Sequence, residues 1–443
     1  MTDELLTAAR AAFDAAPPIG DPAYLRYCHE LGRQLTRAWP AVVAANDRDV
    51  AAAQRRGHPP TLVDRLRLTD EHLDRLLRLT ADVAAELPAV CADGPGIPAG
   101  GWGTLRRVPK PLGVVLMIYE ARPTVTVDGA LLPVVVGNAV LLRGGKEIAE
   151  TDAVLAQVIR SALVAAGLPP DLVTVLDDPQ RKVMRALLAR PDQVDVLVPR
   201  GSPSLIDYCR SASTIPLIAS GGGVNHLYVH RSADLALAAT VTLDSKLPEP
   251  AGCTSVELVL VDEEVAGAYV AELRRQVEAR TAVLTLRLDP RVPAPVPVTV
   301  AVPTTGPAQP RPGPAAPTAD PGSGWRTEPL EKHDLGREFL DPTIGVLPVS
   351  GLDEAVRHIR RHGSAHTEGV VATDRATSAE FARRVDAATI VVNGSLRLHD
   401  GPKLGLGPEI AIATGRLHVR GPVTLDALMT SSWLVEANGE LRG

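Results

Sequence analysis

The chain has few cysteines and no long apolar run. Its 443 residues include 4 cysteines, and no two of them stand in Cys-x-x-Cys spacing. Neither a disulfide framework nor a cysteine-based zinc site is therefore expected. No stretch of about 18 apolar residues lacks a charge, so no membrane-spanning helix is predicted. The N-terminal residues carry acidic side chains early and do not follow the secretory-signal pattern. These absences predict a protein of the reducing cytoplasm with no membrane partner.

An excess of charge of one sign is also missing. The chain has 46 Lys and Arg against 52 Asp and Glu, for a net charge of −6, and it has no long basic run. A nucleic-acid partner is therefore not expected. The histidines show no metal-ligand spacing, so no metal site is predicted. The hydrophobic fraction of 45% is enough for packed cores, and the length predicts two or three domains.

The common nucleotide-binding fingerprints do not occur at the expected places. There is no Gly-x-Gly-x-x-Gly after the first strand-like run, and no Gly-x-x-x-x-Gly-Lys-Ser/Thr motif. A standard Rossmann fingerprint and a P-loop are therefore excluded. If the protein binds a dinucleotide, it uses other residues.

Alternation of strand-length and helix-length segments dominates the chain after a helical region at 1–90. Strands are predicted at 114–119, 139–142, 172–176, 194–198 and 215–218. A second block has strands predicted at 256–261, 283–286, 344–347, 369–372 and 389–392, and helices at 263–279, 352–361 and 377–386. Continuous apolar strands between helices predict α/β domains built on parallel sheets that are covered on both faces.

Proline interrupts the second block. Eleven of the 39 prolines lie between Pro290 and Pro321. Proline lacks the backbone donor that a helix interior or a central strand requires. Residues 306–324 are therefore predicted to form an exposed loop inserted in the second domain.

Cys253 is the candidate nucleophile. It follows Pro248-Glu249-Pro250-Ala251-Gly252 and directly precedes the predicted strand 256–261. A thiol on such a loop can be exposed, and backbone N–H groups beside it can stabilise an oxyanion. Lys246 would lower the pKa of the thiol if it folds back. The alternative is a small buried apolar side chain, as most free cysteines are, and the local pattern leaves both open.

Three strand ends carry residues suited to phosphate or substrate. Arg143–Lys146 combines two glycines with two cations, and Arg200–Ser202 opens a helix with free N–H groups and a hydroxyl. Glu120–Arg122 ends the first predicted strand, where ligands of parallel sheets bind. Tight turns with solvated charges and a plain helix cap are the alternatives.

Longer segments, taken together in their order, resemble the γ-glutamyl phosphate reductase family, a branch of the aldehyde dehydrogenase superfamily. They run from about residue 100 onward, and the most specific are YEARP, PAGCTSVE, EFLDP, HTEGVV, VVNGS and LGLGPEIAIATGRLHVRGPV. The resemblance implies an NADP(H)-binding domain at 1–98 and 111–228 and a catalytic domain at 229–392. It also implies a bridging β-arm and tail at 99–110 and 393–443, and a homo-oligomer, either a dimer or a tetramer.

The resemblance further implies NADPH-dependent reduction of an acyl phosphate, with L-glutamate 5-phosphate as the leading substrate, through a thioester on Cys253. Glu338 in EFLDP matches the glutamate that holds the nicotinamide ribose. The implied cofactor-binding residues are Arg143, Gly144, Gly145, Lys146, Arg200, Gly201, Ser202 and Glu338. The implied substrate-binding residues are Glu120, Arg122, Thr124, Lys246, Thr254, Asn393 and Arg397.

The chain departs from the family pattern at several positions. Thr124 stands where many members have asparagine, and Ala219 stands where oxidising relatives have a glutamate that activates water. Loss of that base disfavours thioester hydrolysis and leaves reduction unaffected. The segment KLPEPAGCTS replaces the usual KTQRPSVCNA. Alternatives therefore remain: reduction of another acyl phosphate or an acyl thioester, a binding or assembly protein without turnover, and, more weakly, an aldehyde-oxidising dehydrogenase.

Overall fold

The computed structural model describes residues 2–101, 103–176, 181–219, 221–292, 324–416, 419–437, 439 and 441. The predicted proline-rich loop at 306–324 lies outside this part of the chain, except for Gly324. The chain divides into two compact units, Met1–Ser220 with Gly401–Gly443, and Gly221–Asp400. Among the described residues, no helix combines the length and the apolar character needed to cross a membrane.

Helices and strands alternate through both units. The helices are α1 (Thr2–Asp14), α2 (Pro22–Arg55), α3 (Pro60–Leu66), α4 (Asp70–Val90), α5 (Thr124–Val135), α6 (Ala149–Ala166), α7 (Arg181–Leu188), α8 (Pro203–Ala212), α9 (Leu235–Lys246), α10 (Ala266–Ala279), α11 (Leu352–His362) and α12 (Arg375–Arg384). The strands are β1 (Ile97–Pro98), β2 (Gly103–Pro111), β3 (Val114–Tyr119), β4 (Ala139–Arg143), β5 (Val173–Val175), β6 (Val196–Arg200), β7 (Asn225–Val229), β8 (Val256–Asp262), β9 (Leu284–Leu288), β10 (Trp325–Pro329), β11 (Thr343–Val349), β12 (Thr367–Val371), β13 (Thr389–Val392), β14 (Ile412–Ala413), β15 (Gly421–Pro422) and β16 (Met429–Ala437).

A four-stranded parallel sheet forms the centre of the first unit, in the order β5-β4-β3-β6. Every residue of β3 is buried, as expected for a parallel strand with helices on both faces. In the sheet register Ile118 lies opposite Arg143, and Tyr119 lies opposite Arg200. The carboxyl ends of β3, β4 and β6 therefore meet at one edge, and this edge carries the predicted cofactor residues.

The long N-terminal helix α2 packs on this unit through its buried face. Asp21 caps the helix by accepting a hydrogen bond from the backbone N–H of Ala23, and Pro22 occupies the first turn, where no donor is needed. The Tyr27 hydroxyl donates to the Ala130 carbonyl oxygen of α5 at 2.9 Å. This buried hydrogen bond orients α2 relative to α5 across a contact that is otherwise apolar.

A separate antiparallel sheet of three strands, in the order β1-β2-β16, belongs to the same unit. Gly103 of β2 lies opposite Ala437, and Pro111 lies opposite Met429. Among the described strands, β16 pairs only with β2, so its outer edge has no strand partner. The sheet contains part of the residues predicted as the β-arm.

The second unit is built on a seven-stranded sheet in the order β10-β9-β11-β8-β7-β12-β13, with every neighbouring pair parallel. All residues of β8 and β11 are buried. The Cys253 loop leads into β8, and the Glu338 segment precedes β11, which is hydrogen-bonded to β8. The predicted α/β class with two parallel sheets is confirmed.

Some sequence predictions differ from the structure. Residues 215–218 form only a single bridge, Leu197 to Leu217, because Pro216 cannot donate to a strand ladder. Strands β7 and β10 were not predicted. Residues 393–400, assigned by sequence to the arm and tail, belong to the second unit, where Leu396 is part of the core and its N–H donates to the Ser245 hydroxyl.

Candidate active site

Cys253 is an exposed residue on the loop between α9 and β8. The loop is shaped by two backbone hydrogen bonds, from Gly252 N–H to the Glu249 oxygen and from Ser255 N–H to the Gly252 oxygen, both at 3.0 Å. Cys28 and Cys209, by contrast, are buried, and burial raises the pKa of each thiol, to about 12 and about 11. Between the two alternatives that the sequence left open for Cys253, the exposed position excludes the buried apolar side chain.

Asn225 fixes the backbone at Cys253 and two residues after it. Its Nδ2 donates to the carbonyl oxygens of Cys253 and Ser255, each at 2.8 Å, and its Oδ1 accepts from the Thr367 N–H at 3.1 Å. The side chain is fully buried, so these bonds are shielded from competing water. Sequence reasoning did not select Asn225. The only signal was a polar residue at the start of a strand, and its partners lie far along the chain.

The structure brings Glu338 next to Cys253 within the second unit. The Glu338 Oε1 accepts a hydrogen bond from the Gly223 N–H at 2.5 Å. A Cβ on Gly223 would lie 2.5 Å from the Cys253 carbonyl oxygen and 2.7 Å from Glu338 Oε1. Only glycine fits between the two residues, so its backbone brings the Glu338 carboxylate and the Cys253 backbone into close approach.

Lys246, which is predicted to contact substrate and to lower the pKa of the thiol, is a buried residue in the structure. The side chain is 0% exposed, and its Nζ donates to Glu257 Oε2 at 2.9 Å. Burial lowers the pKa of Lys246 and raises that of Glu257, and the attraction between the two charges opposes both shifts. This lysine therefore forms an ion pair with a buried acid inside the second unit.

The remaining residues predicted on the substrate side have mixed positions. Thr254 is half-buried beside Cys253, and the Arg397 guanidinium lies 3.9 Å from the Asp244 carboxylate. Asn393, in the left-handed region at φ 53°, exchanges two hydrogen bonds with the backbone of Ala372, at 2.9 and 3.0 Å. Its amide joins the ends of β12 and β13, and its assignment as a substrate ligand stays a prediction.

In the first unit, the edge at β3 and β6 is already occupied by an acidic side chain. The Glu120 carboxylate accepts hydrogen bonds from the Ser202 N–H at 2.7 Å and from the Ser202 hydroxyl at 3.3 Å. A Cβ on Gly201 would lie 2.4 Å from Glu120 Oε2. Glu120 therefore binds Ser202, the N-cap residue of α8, and its assignment to substrate stays a prediction. It also occupies the amide that the sequence assigned to a diphosphate.

Beneath the glycine turn at the end of β4 lies a buried acid, Asp152. A Cβ on Gly144 would come within 2.2 Å of its Oδ2. The Thr126 hydroxyl donates to Asp152 Oδ1 at 2.5 Å, and burial raises the pKa of Asp152 to about 7. Above it, Gly145 and the Arg143 side chain are half-buried, and Lys146 is exposed. The sequence had pointed to the turn but not to the acid below it.

Cationic side chains lie near the same edge. The pKa of the buried Asp128 is raised by desolvation, and the positive charges of Arg75, Arg200 and Arg122 oppose that shift. Arg75 forms an ion pair with Asp128 at 3.2 Å. Arg122 is exposed, and Thr124 begins α5 in a half-buried position. Among the described residues, no group of three or more His, Cys, Asp or Glu side chains is arranged to hold a metal ion.

Comparison with known proteins identifies the family. The model of the aldehyde dehydrogenase family matches residues 66–289. A γ-glutamyl phosphate reductase from Salmonella arizonae is 35% identical over 100% of both chains, and one from Chloroflexus aggregans is 37% identical over 93% of this chain and 92% of its own. The crystal structure of the γ-glutamyl phosphate reductase from Thermotoga maritima matches 100% of both chains with a TM-score of 0.88 at 27% identity. The chain belongs to the aldehyde dehydrogenase family and, within it, to the γ-glutamyl phosphate reductases.

Proposed function

We propose that this protein reduces L-glutamate 5-phosphate to L-glutamate 5-semialdehyde and phosphate with NADPH, as in proline biosynthesis. The observation that carries the proposal is an exposed Cys253, clamped by Asn225 and held beside Glu338. The full-length similarity to reductases of that name supports the substrate class.

The Cys253 sulfur acts first as a nucleophile. The thiolate attacks the acyl carbon, a C–S bond forms, and the C–O bond to phosphate breaks, with phosphate leaving with the electron pair. Phosphate is a good leaving group, so a strong general acid is not required. Asn225 keeps the backbone around the sulfur in place, and backbone donors that stabilise the oxyanion contribute about 3 kcal/mol each in enzymes of this type.

The thioester is then reduced. Bound NADPH would supply the hydride that the carbonyl carbon accepts. The chain holds the acyl group on Cys253 until the C–S bond breaks, which releases the aldehyde and restores the thiolate. Ala219 stands where oxidising relatives carry a base, so the residue at that position cannot activate water against the thioester.

The residues of each unit fit a bound dinucleotide. In the first unit we assign Arg143, Gly144, Gly145 and Lys146 to the adenosine ribose and its 2′-phosphate, and Arg200, Gly201 and Ser202 to the diphosphate. The fit rests on cations at strand ends and on glycines at which a Cβ would collide with neighbours. In the second unit we assign Glu338 to the nicotinamide ribose. Family membership indicates a nicotinamide cofactor, and the two cations of the turn favour NADPH.

The test is the reverse reaction, oxidation of glutamate 5-semialdehyde with NADP⁺ and phosphate. We expect phosphate-dependent NADPH formation by the wild type and none by Cys253→Ser, with NADPH binding retained. Cys91→Ser, a half-buried cysteine on a first-unit helix end, is the matched control and should keep the wild-type rate. Turnover by Cys253→Ser, or oxidation without phosphate, would contradict the proposal.

A second candidate is reduction of a different acyl phosphate or an acyl thioester. The observation that favours it is the exposed Glu249, whose side chain packs 3.1 Å from a Cβ position on Gly252, next to Cys253. A negative charge there opposes an anionic glutamyl group. Activity on a non-glutamyl acyl donor, with none on glutamyl phosphate, would select this candidate.

We also propose that the protein is a homo-oligomer, a dimer or a tetramer, of the reducing cytoplasm. The outer edge of β16 and its exposed Trp433 and Val435 support assembly through a second copy. The four cysteines form no disulfide with one another, and a thiol nucleophile requires a reducing environment.

A further inference from the structure

A buried ion pair frames the Cys253 loop. Lys246 ends α9 and Glu257 is the second residue of β8, so the loop that carries the thiol runs from one partner to the other. The two side chains are 0% and 3% exposed, and Nζ lies 2.9 Å from Oε2. Burial of two charges is costly, and such pairs contribute more to defining one conformation than to stability.

The same pair holds the residue that follows Glu338. Glu257 Oε2 also accepts a hydrogen bond from the Phe339 N–H at 3.0 Å. The Lys246 ammonium lies 5.9 Å from the centre of the Phe339 ring. The buried pair therefore holds the Phe339 backbone directly, while the ring is also contacted by two partly exposed arginine side chains at 5.0 and 5.4 Å.

Glu338, the other residue of this 338–339 segment, faces the loop that carries Cys253. Glu338 accepts from the Gly223 N–H, and Gly223 is packed against the Cys253 backbone. The Glu338 carboxylate is thus held on one side through Gly223, which contacts the Cys253 backbone. On the other side it is held through Phe339, which is bonded to Glu257. Asn225 anchors the thiol loop through different bonds, so the two sets of contacts can be separated by mutation.

We propose that Lys246 and Glu257 are positioning residues for hydride transfer: they fix the backbone at Phe339, and through it the Glu338 carboxylate, without touching substrate. The assignment to the hydride step rests on the proposed function. The contacts that hold Phe339 lie within the second unit and do not depend on the proposed function. Burial raises the pKa of Glu257 and lowers that of Lys246, so removing one partner favours a neutral, weakly held survivor.

The experiment compares Lys246→Met, Glu257→Gln and the double variant Lys246→Met/Glu257→Leu. The double variant replaces both charges with apolar groups and preserves folding if a single variant does not fold. Asp262→Asn is the matched control: it alters a buried acid on the same strand, bonded to the Tyr228 hydroxyl and about 16 Å from Glu257 along β8. The readouts are hydrogen exchange of the peptide that contains Phe339, alkylation of Cys253 by iodoacetamide, and kcat and KM for NADPH.

We expect the Phe339 peptide of the double variant to exchange about 10-fold faster. We also expect kcat/KM for NADPH to fall about 10-fold, while Cys253 alkylation stays within about two-fold of the wild type. Asp262→Asn should change none of these values. Unchanged exchange in a folded double variant, or a parallel loss of alkylation and hydride transfer, would overturn the inference. If the wild type shows no reductase activity, the proposed function fails, and the exchange and alkylation data still decide whether the pair holds the segment.

Discussion

Single side chains with buried hydrogen bonds determine the geometry of the candidate site. Asn225 is the clearest case, because one amide group serves three backbone groups on two segments. A buried amide that satisfies several backbone groups is expensive to remove, since each lost partner is left without water. The precision of the thiol position therefore depends on a residue outside the reactive loop.

We predict that Asn225→Asp lowers kcat about 10-fold or more, because an oxygen replaces the Nδ2 donor and faces two carbonyl oxygens. The free energy of unfolding should fall by about 1–3 kcal/mol. Asn46→Asp is the matched control: this buried asparagine bridges Leu66 O and Leu68 N in the first unit, at 2.8 Å each. It should lose similar stability and keep kcat. Equal losses of kcat in both variants would contradict a specific role for Asn225.

Asp152 makes the stability of the first unit depend on pH. Burial raises its pKa from 3.8 to about 7, so the folded protein binds a proton that the unfolded chain releases. The contribution of this group is therefore largest at low pH and is lost as the pH rises from 3.8 toward 7.

We predict that Asp152→Asn, which stays neutral, is more stable than the wild type at about pH 8, by at most about 4 kcal/mol, and is similar to it near pH 4. The asparagine can still accept from the Thr126 hydroxyl. Calorimetric unfolding of both proteins across this range is the measurement. A constant difference between the two proteins at all pH values would show that the pKa of Asp152 is the same in the folded and unfolded states.

The ends of strands and helices decide which groups face a ligand. At the carboxyl edge of the first sheet, the start of α8 offers N–H groups, and Glu120 from the neighbouring strand end has taken one of them. An anionic cap and an anionic diphosphate compete for the same partial positive charge. A dinucleotide that binds at Ser202 must therefore displace this carboxylate.

We predict that Glu120→Gln lowers the KM for NADPH by about three-fold. The glutamine oxygen can still accept from the Ser202 N–H, so the helix cap is kept and only the competing charge is lost. Glu150→Gln, an exposed acid on α6 paired with Arg48, is the control and should leave KM unchanged. An unchanged or higher KM in Glu120→Gln would place the diphosphate away from this helix start.

At the scale of the whole molecule, β16 offers an open strand edge with apolar side chains. Trp433 and Val435 are 59% and 52% exposed. Open edges with apolar residues are uncommon on isolated proteins because they invite pairing with another chain. This feature underlies the proposal of a homo-oligomer.

We predict that Trp433→Glu converts the proposed homo-oligomer to a monomer, because a buried unpaired charge at the contact is strongly unfavourable. Light scattering coupled to size-exclusion chromatography measures the mass. Val164→Glu, on an equally exposed position of α6, should leave the mass unchanged. A Trp433→Glu protein with the wild-type mass would show that assembly uses another surface.

The fold class and the thiol loop could be predicted from the sequence because both depend on local patterns. An unbroken apolar run such as 114–119, bounded by glycine and proline, is typical of a strand that is buried on both faces. The loop with Cys253 precedes such a run, so its place in the chain could be predicted, whereas the structure decided that the thiol is exposed. Strand β7 could not be predicted because it begins with two polar residues, Asn225 and His226. Both are buried, and their hydrogen-bond partners, among them Glu368, lie far away in sequence.

By itself, the sequence determined the alternation of strands and helices, the motifs at the strand ends and the position of the candidate nucleophile. Only the tertiary structure decided the direction of the polar side chains. Lys246 bonds the buried Glu257, Asn393 bonds the Ala372 backbone, and Glu120 bonds Ser202 at the start of α8. The physical reason is that a charged or amide group takes whichever partner the fold brings within about 3 Å, and that partner lies far away in sequence.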